Sequence, residues 1–323
     1  MDGMKAITIP RFGDADVLRL DEVEIPEPGP GQVAIDVAYA GANFAEILYR
    51  QGLADVPLPF VPGIEVSGRV RALGPGVEGL RVGQPVAALT IVDSGGYAEV
   101  VVTSAELVAP LDGYALELGV AAALPSNSTT AFLVLDRVAR IEPGESVLVH
   151  AAAGGVGSQL GQAARLLGAG RVVGAVGSPA KVEAARAFGY DEVVLREEAA
   201  EAGRFDVVVD MVGGAARRGS LDLLAPMGRM VVMGNASGAR DVGIPANELW
   251  LTNKTVSGFN LAAFSAAFPE TAGQALRRVV AGAASGELRV RVESLRLEQA
   301  AQAHRRIESG RTTGKLVLEV ERH

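Results

Sequence analysis

The sequence has no cysteine anywhere in its 323 residues, which excludes disulfides, thiolate metal sites and a cysteine nucleophile. Histidine is nearly as scarce. His150, His304 and His323 do not cluster along the chain, so no zinc site is expected. Aromatic residues make up 5% of the chain and include one tryptophan, Trp250, which is expected to be anchored in packing rather than used in chemistry. No apolar run reaches the ~20 residues of a transmembrane helix, so no membrane insertion is expected. The opening Met1-Asp2-Gly3-Met4-Lys5 lacks the basic start and apolar core of a secretory leader. Positive charge is in deficit: 30 Lys and Arg stand against 38 Asp and Glu, a net −8, which argues against binding nucleic acid. What is present, 49% hydrophobic and 21% charged residues, is the composition of a soluble, cytoplasmic, globular protein whose anionic partner is small.

At this length two domains are expected. The first ~120 residues read as short strands broken by turns. Strands are expected over 5–9, 17–23, 66–73, 84–89 and 97–103. In a further strand Val33, Ile35, Val37 and Tyr39 alternate with Gln32, Ala34, Asp36 and Ala38, the period of a half-buried strand. A short helix is expected over 43–51 with Asn43 near its cap, and Leu58 to Gly63, with two prolines, reads as extended. From Leu116 the texture changes. Helices are expected over 116–124 and 129–140, followed by alternating strands and helices, with strands over 146–150, 171–176, 192–195, 205–210, 229–233 and 255–259. Continuous runs such as Val207-Val208-Val209 suit a parallel sheet covered on both faces. Helices over 265–284 and 298–309 and a strand over 315–321 close the chain.

The stretch that organises this pattern is Ser146-Val147-Leu148-Val149-His150-Ala151-Ala152-Ala153-Gly154-Gly155-Val156-Gly157. Strand, glycine turn and helix form the first half of a dinucleotide-binding βαβ unit. Free N–H groups at the helix start suit a pyrophosphate. Gly157 permits close helix packing, although Ala152 stands where the usual motif has its first glycine. Such a turn can also be simple punctuation between strand and helix. The next strand ends Val173-Gly174-Ala175-Val176 without the carboxylate that would bind the ribose 2′-OH of NAD. Ser178 and Lys181 follow, a hydroxyl and an ammonium suited to the 2′-phosphate of NADPH. Equally, Ser178 can cap a helix that has Pro179 at its first position, with Lys181 on a solvated face; both readings can hold together. Tyr97 reads as a packed strand residue, Glu65 as a backbone-holding residue, and His150 as a neighbour of the glycine turn.

Taken in order, Gly41-Ala42-Asn43-Phe44-Ala45-Glu46, Phe60-Val61-Pro62-Gly63-Ile64-Glu65, Gly96-Tyr97-Ala98-Glu99, the Ala152–Gly157 turn, Gly177-Ser178-x-x-Lys181, Gly234-Asn235-Ala236-Ser237-Gly238 and Gly314-Lys315 resemble the medium-chain dehydrogenase/reductase superfamily. Within it the chain is similar to the zinc-independent quinone oxidoreductase branch, which includes zeta-crystallin and VAT-1-like proteins. The resemblance implies an α/β architecture: a GroES-like β domain plus a Rossmann domain with a doubly wound parallel sheet. Residues 1–124 and 260–323 are expected to form the GroES-like substrate and catalytic domain, and 125–259 the NADPH-binding domain, with the cofactor in the cleft.

The same resemblance implies the site. Asn43, Glu46 and Thr130 are expected to hold the nicotinamide and the acceptor. Cofactor contacts are expected at Ala153, Gly154, Gly155, Val156, Gly177, Ser178, Lys181, Met211, Val212, Gly234, Asn235, Phe259, Asn260 and Arg311. Zinc enzymes of the superfamily place a Cys near Asn43 and a His near Ile64, and this chain has neither. A tyrosine that commonly supports the 2′-phosphate is replaced by Leu195, with Arg196 beside it. A pocket tyrosine is absent at Leu48, and its neighbour Tyr49 points roughly 100° away around the helix. The implied reaction is hydride delivery from NADPH to a quinone. The alternatives are reduction of the C=C bond of an enal, enone or enoyl thioester, and a regulatory NADPH-binding protein with little turnover. The apolar, uncharged Thr255–Phe259 reads as the outermost sheet strand, which predicts a homodimer by edge pairing, with Lys254 as a modest gatekeeper.

Overall fold

A computed structural model of the chain describes residues 3–321; His323 lies outside them. The chain divides into two compact units, Met1–Thr129 with Leu261–His323 and Thr130–Asn260.

The first unit is built from β1 (Gly3–Thr8), β2 (Arg19–Glu24), β3 (Gln32–Ala42), α1 (Phe44–Arg50), β4 (Glu65–Leu73), β5 (Pro85–Leu89), β6 (Val100–Ser104), β7 (Val108–Pro110) and α2 (Leu118–Ala121). After α3 (Asn127–Phe132) the second unit has β8 (Ser146–His150), α4 (Gly155–Leu166), β9 (Arg171–Val176), α5 (Val182–Arg186), β10 (Glu192–Leu195) and β11 (Phe205–Asp210). It continues with α6 (Gly214–Asp222), β12 (Leu224–Val232), α7 (Ala246–Thr252) and β13 (Thr255–Gly258). The chain then returns to the first unit through α8 (Leu261–Ala267), α9 (Pro269–Ala284), β14 (Val292–Arg296), α10 (Ala300–Glu308) and β15 (Lys315–Glu319).

In the first unit β1 and β2 form an antiparallel pair, and the main sheet runs β14-β15-β3-β4-β5-β7, with β6 also on β3. Val33, Ile35 and Val37 enter a core shared with Val66, Val70, Val86, Leu316 and Leu318. The opposite face of β3 is covered as well. Ala34 is buried in a second cluster with Met4, Ala6, Ala98 and Val100, so the period-two reading of a half-buried strand holds for only part of β3.

The second unit is a six-stranded parallel sheet ordered β10-β9-β8-β11-β12-β13. Counted from its own first strand, this is the 3-2-1-4-5-6 order of a doubly wound nucleotide fold. Val207, Val208 and Val209 are fully buried, as a sheet covered on both faces requires. β13 is its outer edge.

Several expected elements differ. Val17 belongs to a 3₁₀ turn, Ala15–Val17, and β2 starts after it. Tyr97 precedes β6 rather than lying in it. The helix expected over 116–124 shrinks to α2, Leu118–Ala121, and Pro125 disfavours its extension to the residue before the ring. After α3, Leu133–Ala139 winds as a π-helix that ends at Arg140, whose φ is 50°. The expected helix 265–284 is two helices: Phe268 leaves helical geometry and Pro269 restarts the chain at the first position of α9. β14, with the charged sequence VESLR and a mostly exposed pattern, carries no hydrophobic signal and was not foreseen.

Trp250, on α7, is 74% exposed and so is not anchored in a core. Lys254 guards no sheet edge: its Nζ donates to the Leu221 carbonyl at 2.6 Å, pinning the entry to β13 onto the end of α6.

Candidate functional site

In the second unit, the residues after each strand share the carboxyl edge of the sheet. β8 ends at His150, and Ala151 takes a left-handed φ of 53° to turn the chain. Gly154 caps α4, whose first residue is Gly155. A Cβ on Gly157 would collide with the Ala151 carbonyl oxygen, so only glycine lets α4 sit this closely on the turn. Ala153, Gly155 and Val156 present backbone N–H groups at a helix start, the geometry that attracts anions, whereas the Gly154 N–H is taken by the Ala151 carbonyl at 2.9 Å. His150 Nε2 lies 2.7 Å from Ser220 Oγ. Burial pulls its pKa down to about 4, with Asp210 opposing and Arg196 adding to the shift, so the ring is neutral at pH 7.

After β9 come Gly177 and Ser178. Ser178 precedes the 3₁₀ turn Pro179–Lys181, but its side chain makes no capping bond, which leaves the hydroxyl uncommitted. After β10 comes Arg196. A Cβ built on Gly177 would lie 3.2 Å from Arg196 Nη2, which places the guanidinium over that glycine. Burial, then the charge of Arg196, lowers the pKa of Lys181. Arg196 Nε is buried without a partner. Among the described residues no carboxylate pairs with Lys181 or Arg196. Two like charges are thus held together without a counter-charge, an arrangement that favours a bound anion.

The ends of β11 and β12 are clamped by one arginine. Asp210, buried at the end of β11, accepts from the N–H groups of Val212 (2.9 Å) and Gly213 (3.1 Å). Arg217 Nε donates to Asp210 at 2.8 Å, Nη2 to the Gly234 carbonyl at 2.6 Å and Nη1 to Asp241 at 2.7 Å. Met211 and Val212 are thereby tied to Gly234 and Asn235. Phe259 and Asn260 follow β13, with the Phe259 N–H on the Val232 carbonyl at 2.9 Å. Thr130 is buried in α3. Arg311 is exposed in the first unit, between α10 and β15. Neither Asp210 nor Arg217 was foreseen; no motif marks them.

In the first unit, four side chains form a buried cluster at the start of α1. Glu46 accepts from the backbone N–H of Asn43 (3.0 Å) and of Ile64 (3.2 Å), which orients the carboxyl under the helix start. Glu65, at the start of β4, accepts from Asn43 Nδ2 at 2.9 Å and from the Ser126 N–H at 2.7 Å. Lys315, the first residue of β15, pairs with Glu65 and donates to Asn43 Oδ1. The cluster therefore holds two carboxylates and one ammonium. Burial pushes the Glu46 pKa up to about 7, against the nearby Lys315 charge. Tyr49 is pushed up to about 12 by burial and by Glu46. Tyr97 is fully buried, its hydroxyl 3.3 Å from His304 Nε2, a packing role rather than a surface one. Glu65 does more than hold backbone. Its ion pair with Lys315 joins positions 250 residues apart in the numbering, which no local pattern displays.

The described residues contain no group of three or more His, Cys, Asp or Glu able to hold a metal ion, and no helix long and apolar enough to cross a membrane.

Comparison with known proteins agrees with this architecture. Residues 29–113 match the family described as alcohol dehydrogenase GroES-like domain, and residues 184–318 the one described as zinc-binding dehydrogenase. The synaptic vesicle membrane protein VAT-1 homolog-like of Mus musculus is 35% identical over 242 residues, covering 72% of this chain and 57% of that protein. The chain thus spans a little over half the length of that relative. Quinone oxidoreductase-like protein 2 of Mus musculus is 36% identical over 252 residues, 75% of this chain and 71% of that one. The solved quinone oxidoreductase of Escherichia coli, complexed with NADPH, superposes with a TM-score of 0.86 at 29% identity, covering 98% of this chain and 99% of that one. With both units matched and the strand order of a nucleotide fold in the second, the chain belongs to the medium-chain dehydrogenase/reductase superfamily, among its quinone oxidoreductases and VAT-1 homologues.

Proposed function

We propose that this protein is an NADPH-dependent, zinc-independent oxidoreductase that reduces a quinone. The observation that carries the cofactor choice is the Lys181–Arg196 pair beside Gly177, two cations without a carboxylate. A 2′-phosphate supplies the missing counter-charge, and NAD lacks that group. The NADPH complex of the Escherichia coli relative supports the reading. The N–H groups of Ala153, Gly155 and Val156 suit the pyrophosphate, with Gly154 offering close backbone approach, while Met211, Val212, Gly234, Asn235, Phe259 and Asn260 line the same sheet edge; Thr130 and Arg311 remain proposed contacts by resemblance.

When bound, NADPH supplies a hydride. A quinone takes that hydride and one proton from solvent to become a hydroquinone, and its delocalised oxyanion needs no metal. The residues at the start of α1 do not fit zinc. An amide stands at position 43, Ile64 offers no ligand, and the Lys315 ammonium occupies the polar cluster and would repel a cation. What Asn43 and Glu46 contribute is position and electrostatics.

One observation favours a second reading. Tyr49, three residues along α1 from Glu46, carries the one hydroxyl of that helix, and a tyrosine proton donor suits reduction of an enal, enone or enoyl thioester. A panel of quinones and short enals, scored by kcat/KM with NADPH and NADH after exhaustive chelation, decides between the readings. Quinone turnover with NADPH that survives chelation is expected. Loss of activity restored by zinc overturns the metal-free reading, and absence of NADPH consumption with every acceptor leaves a regulatory binder.

The bare edge of β13 supports a homodimer, with Trp250 and Leu251 exposed on the preceding helix. Light scattering on wild type and Val256→Pro reads this directly: a dimer that the proline dissociates is expected. A cytoplasmic setting accompanies the reading.

A further inference from the structure

We propose that Lys315 is the positioning residue of the first unit's site, fixing which way the Asn43 carboxamide faces and how strongly its N–H donates. The inference rests on the role proposed above for Asn43. A carboxamide has an acceptor end and a donor end of nearly the same shape, so sterics alone do not choose between its two orientations. Here the neighbours choose. An ammonium has only donors and an ionised carboxylate only acceptors. Lys315 donates to Asn43 Oδ1, and Glu65 accepts from Asn43 Nδ2 at 2.9 Å. Reversing the amide would set donor against donor and acceptor against acceptor. Glu65 cannot follow such a flip, because its other oxygen is held by the Ser126 N–H at 2.7 Å.

The nitrogen has a second hydrogen. Its neighbours are the Gly41 carbonyl at 3.4 Å and Glu46 Oε1 at 3.5 Å, both at the long limit of a hydrogen bond. This N–H is the loosely committed donor of the cluster. Asn43 also keeps 8% of its surface exposed, while Glu46 and Glu65 keep none. A cation on the amide oxygen draws electron density from the nitrogen, strengthening the donor toward an oxygen that gains negative charge on hydride transfer. Stability alone gives no reason for this arrangement, since a buried ion pair can often be replaced by apolar side chains without loss.

The test is a double-mutant cycle on turnover with a benzoquinone, using wild type, Asn43→Ala, Lys315→Gln and the double variant. Lys315→Gln should lower kcat by about tenfold or more with NADPH affinity, read by fluorescence, unchanged. In the Asn43→Ala background it should cost nothing further, because the residue acts through Asn43. Additive losses, or an unchanged kcat in Lys315→Gln, overturn the proposal. A second measurement needs no turnover. The ¹⁵N side-chain amide signal of Asn43, assigned by its loss in Asn43→Ala, should exchange slowly with solvent in wild type and quickly in Lys315→Gln. Equal exchange overturns the role of Lys315. If wild type is inert with quinones and enals, the functional reading fails, and the amide exchange still decides whether Lys315 holds Asn43.

Discussion

In the first unit each charge of the Asn43 cluster is answered by a neighbour: Glu65 by Lys315, and Glu46 by two backbone N–H groups. In the second unit Lys181 and Arg196 stand together with no carboxylate on either. The first arrangement is complete without a ligand and holds its geometry at the expense of burying charge. The second is electrostatically unfavourable until an anion arrives. Substitutions in the first should therefore register as lost folding stability and turnover, and those in the second as lost affinity without lost stability.

The largest effect that sharpens this contrast is expected from Glu65→Ala. Removing the carboxylate leaves the Lys315 ammonium buried without its partner, a loss of about 3–5 kcal/mol, measured by urea unfolding. A loss below about 1 kcal/mol, within the range of an exposed pair, would show that the cluster is not an electrostatic unit.

Next in size is the pH dependence of Glu46. Its carboxyl titrates near 7 in the folded chain against a reference of 4.5, so between those values the folded state binds the extra proton. Stability from this group is greatest at low pH and falls as pH rises to about 7, by up to about 3 kcal/mol. Glu46→Gln should flatten that slope when unfolding midpoints are compared at pH 5 and pH 8. An unchanged slope would remove Glu46 from the cluster's electrostatics.

For the second unit, Lys181→Ala and Arg196→Ala are each expected to weaken NADPH by roughly ten- to a hundredfold, with NADH binding almost unchanged in calorimetry. Thermal stability should hold or rise, because a like-charge neighbour is gone. Equal losses for both cofactors would break the assignment. The smallest effect is expected at Trp250→Ala, which should change monomer stability by no more than about 0.5 kcal/mol; a larger change that depends on protein concentration would place this side chain in a subunit interface.

Much of the second unit is legible in the sequence because its signals are local. An unbroken Val-rich run, a glycine turn and an amphipathic helix lie within about 20 residues, the span of the fold's first βα step, and five of its strands begin at the expected residue. The first unit is harder to read. β14 is a charged edge strand, and the split between α8 and α9 turns on one proline inside an otherwise helical pattern. The Asn43 cluster joins residues near 43, 65 and 315, so its cation is invisible to any window along the chain. Trp250 misled for a different reason: its size suggests burial, but nothing in the sequence says whether a covering element exists.

The placement of β15 between β14 and β3 bears on how the protein is made. Asn43 and its ammonium partner are 272 positions apart, and a ribosome must release residue 315 before the amide can be locked. The whole nucleotide-binding unit can emerge and fold beforehand, since its residues are contiguous. For most of its synthesis the nascent chain would therefore carry a buried-carboxylate site lacking its cation. A translation product stopped just short of residue 315 would keep the cofactor fold but expose a sheet without one of its central strands, a ready substrate for chaperones and proteases.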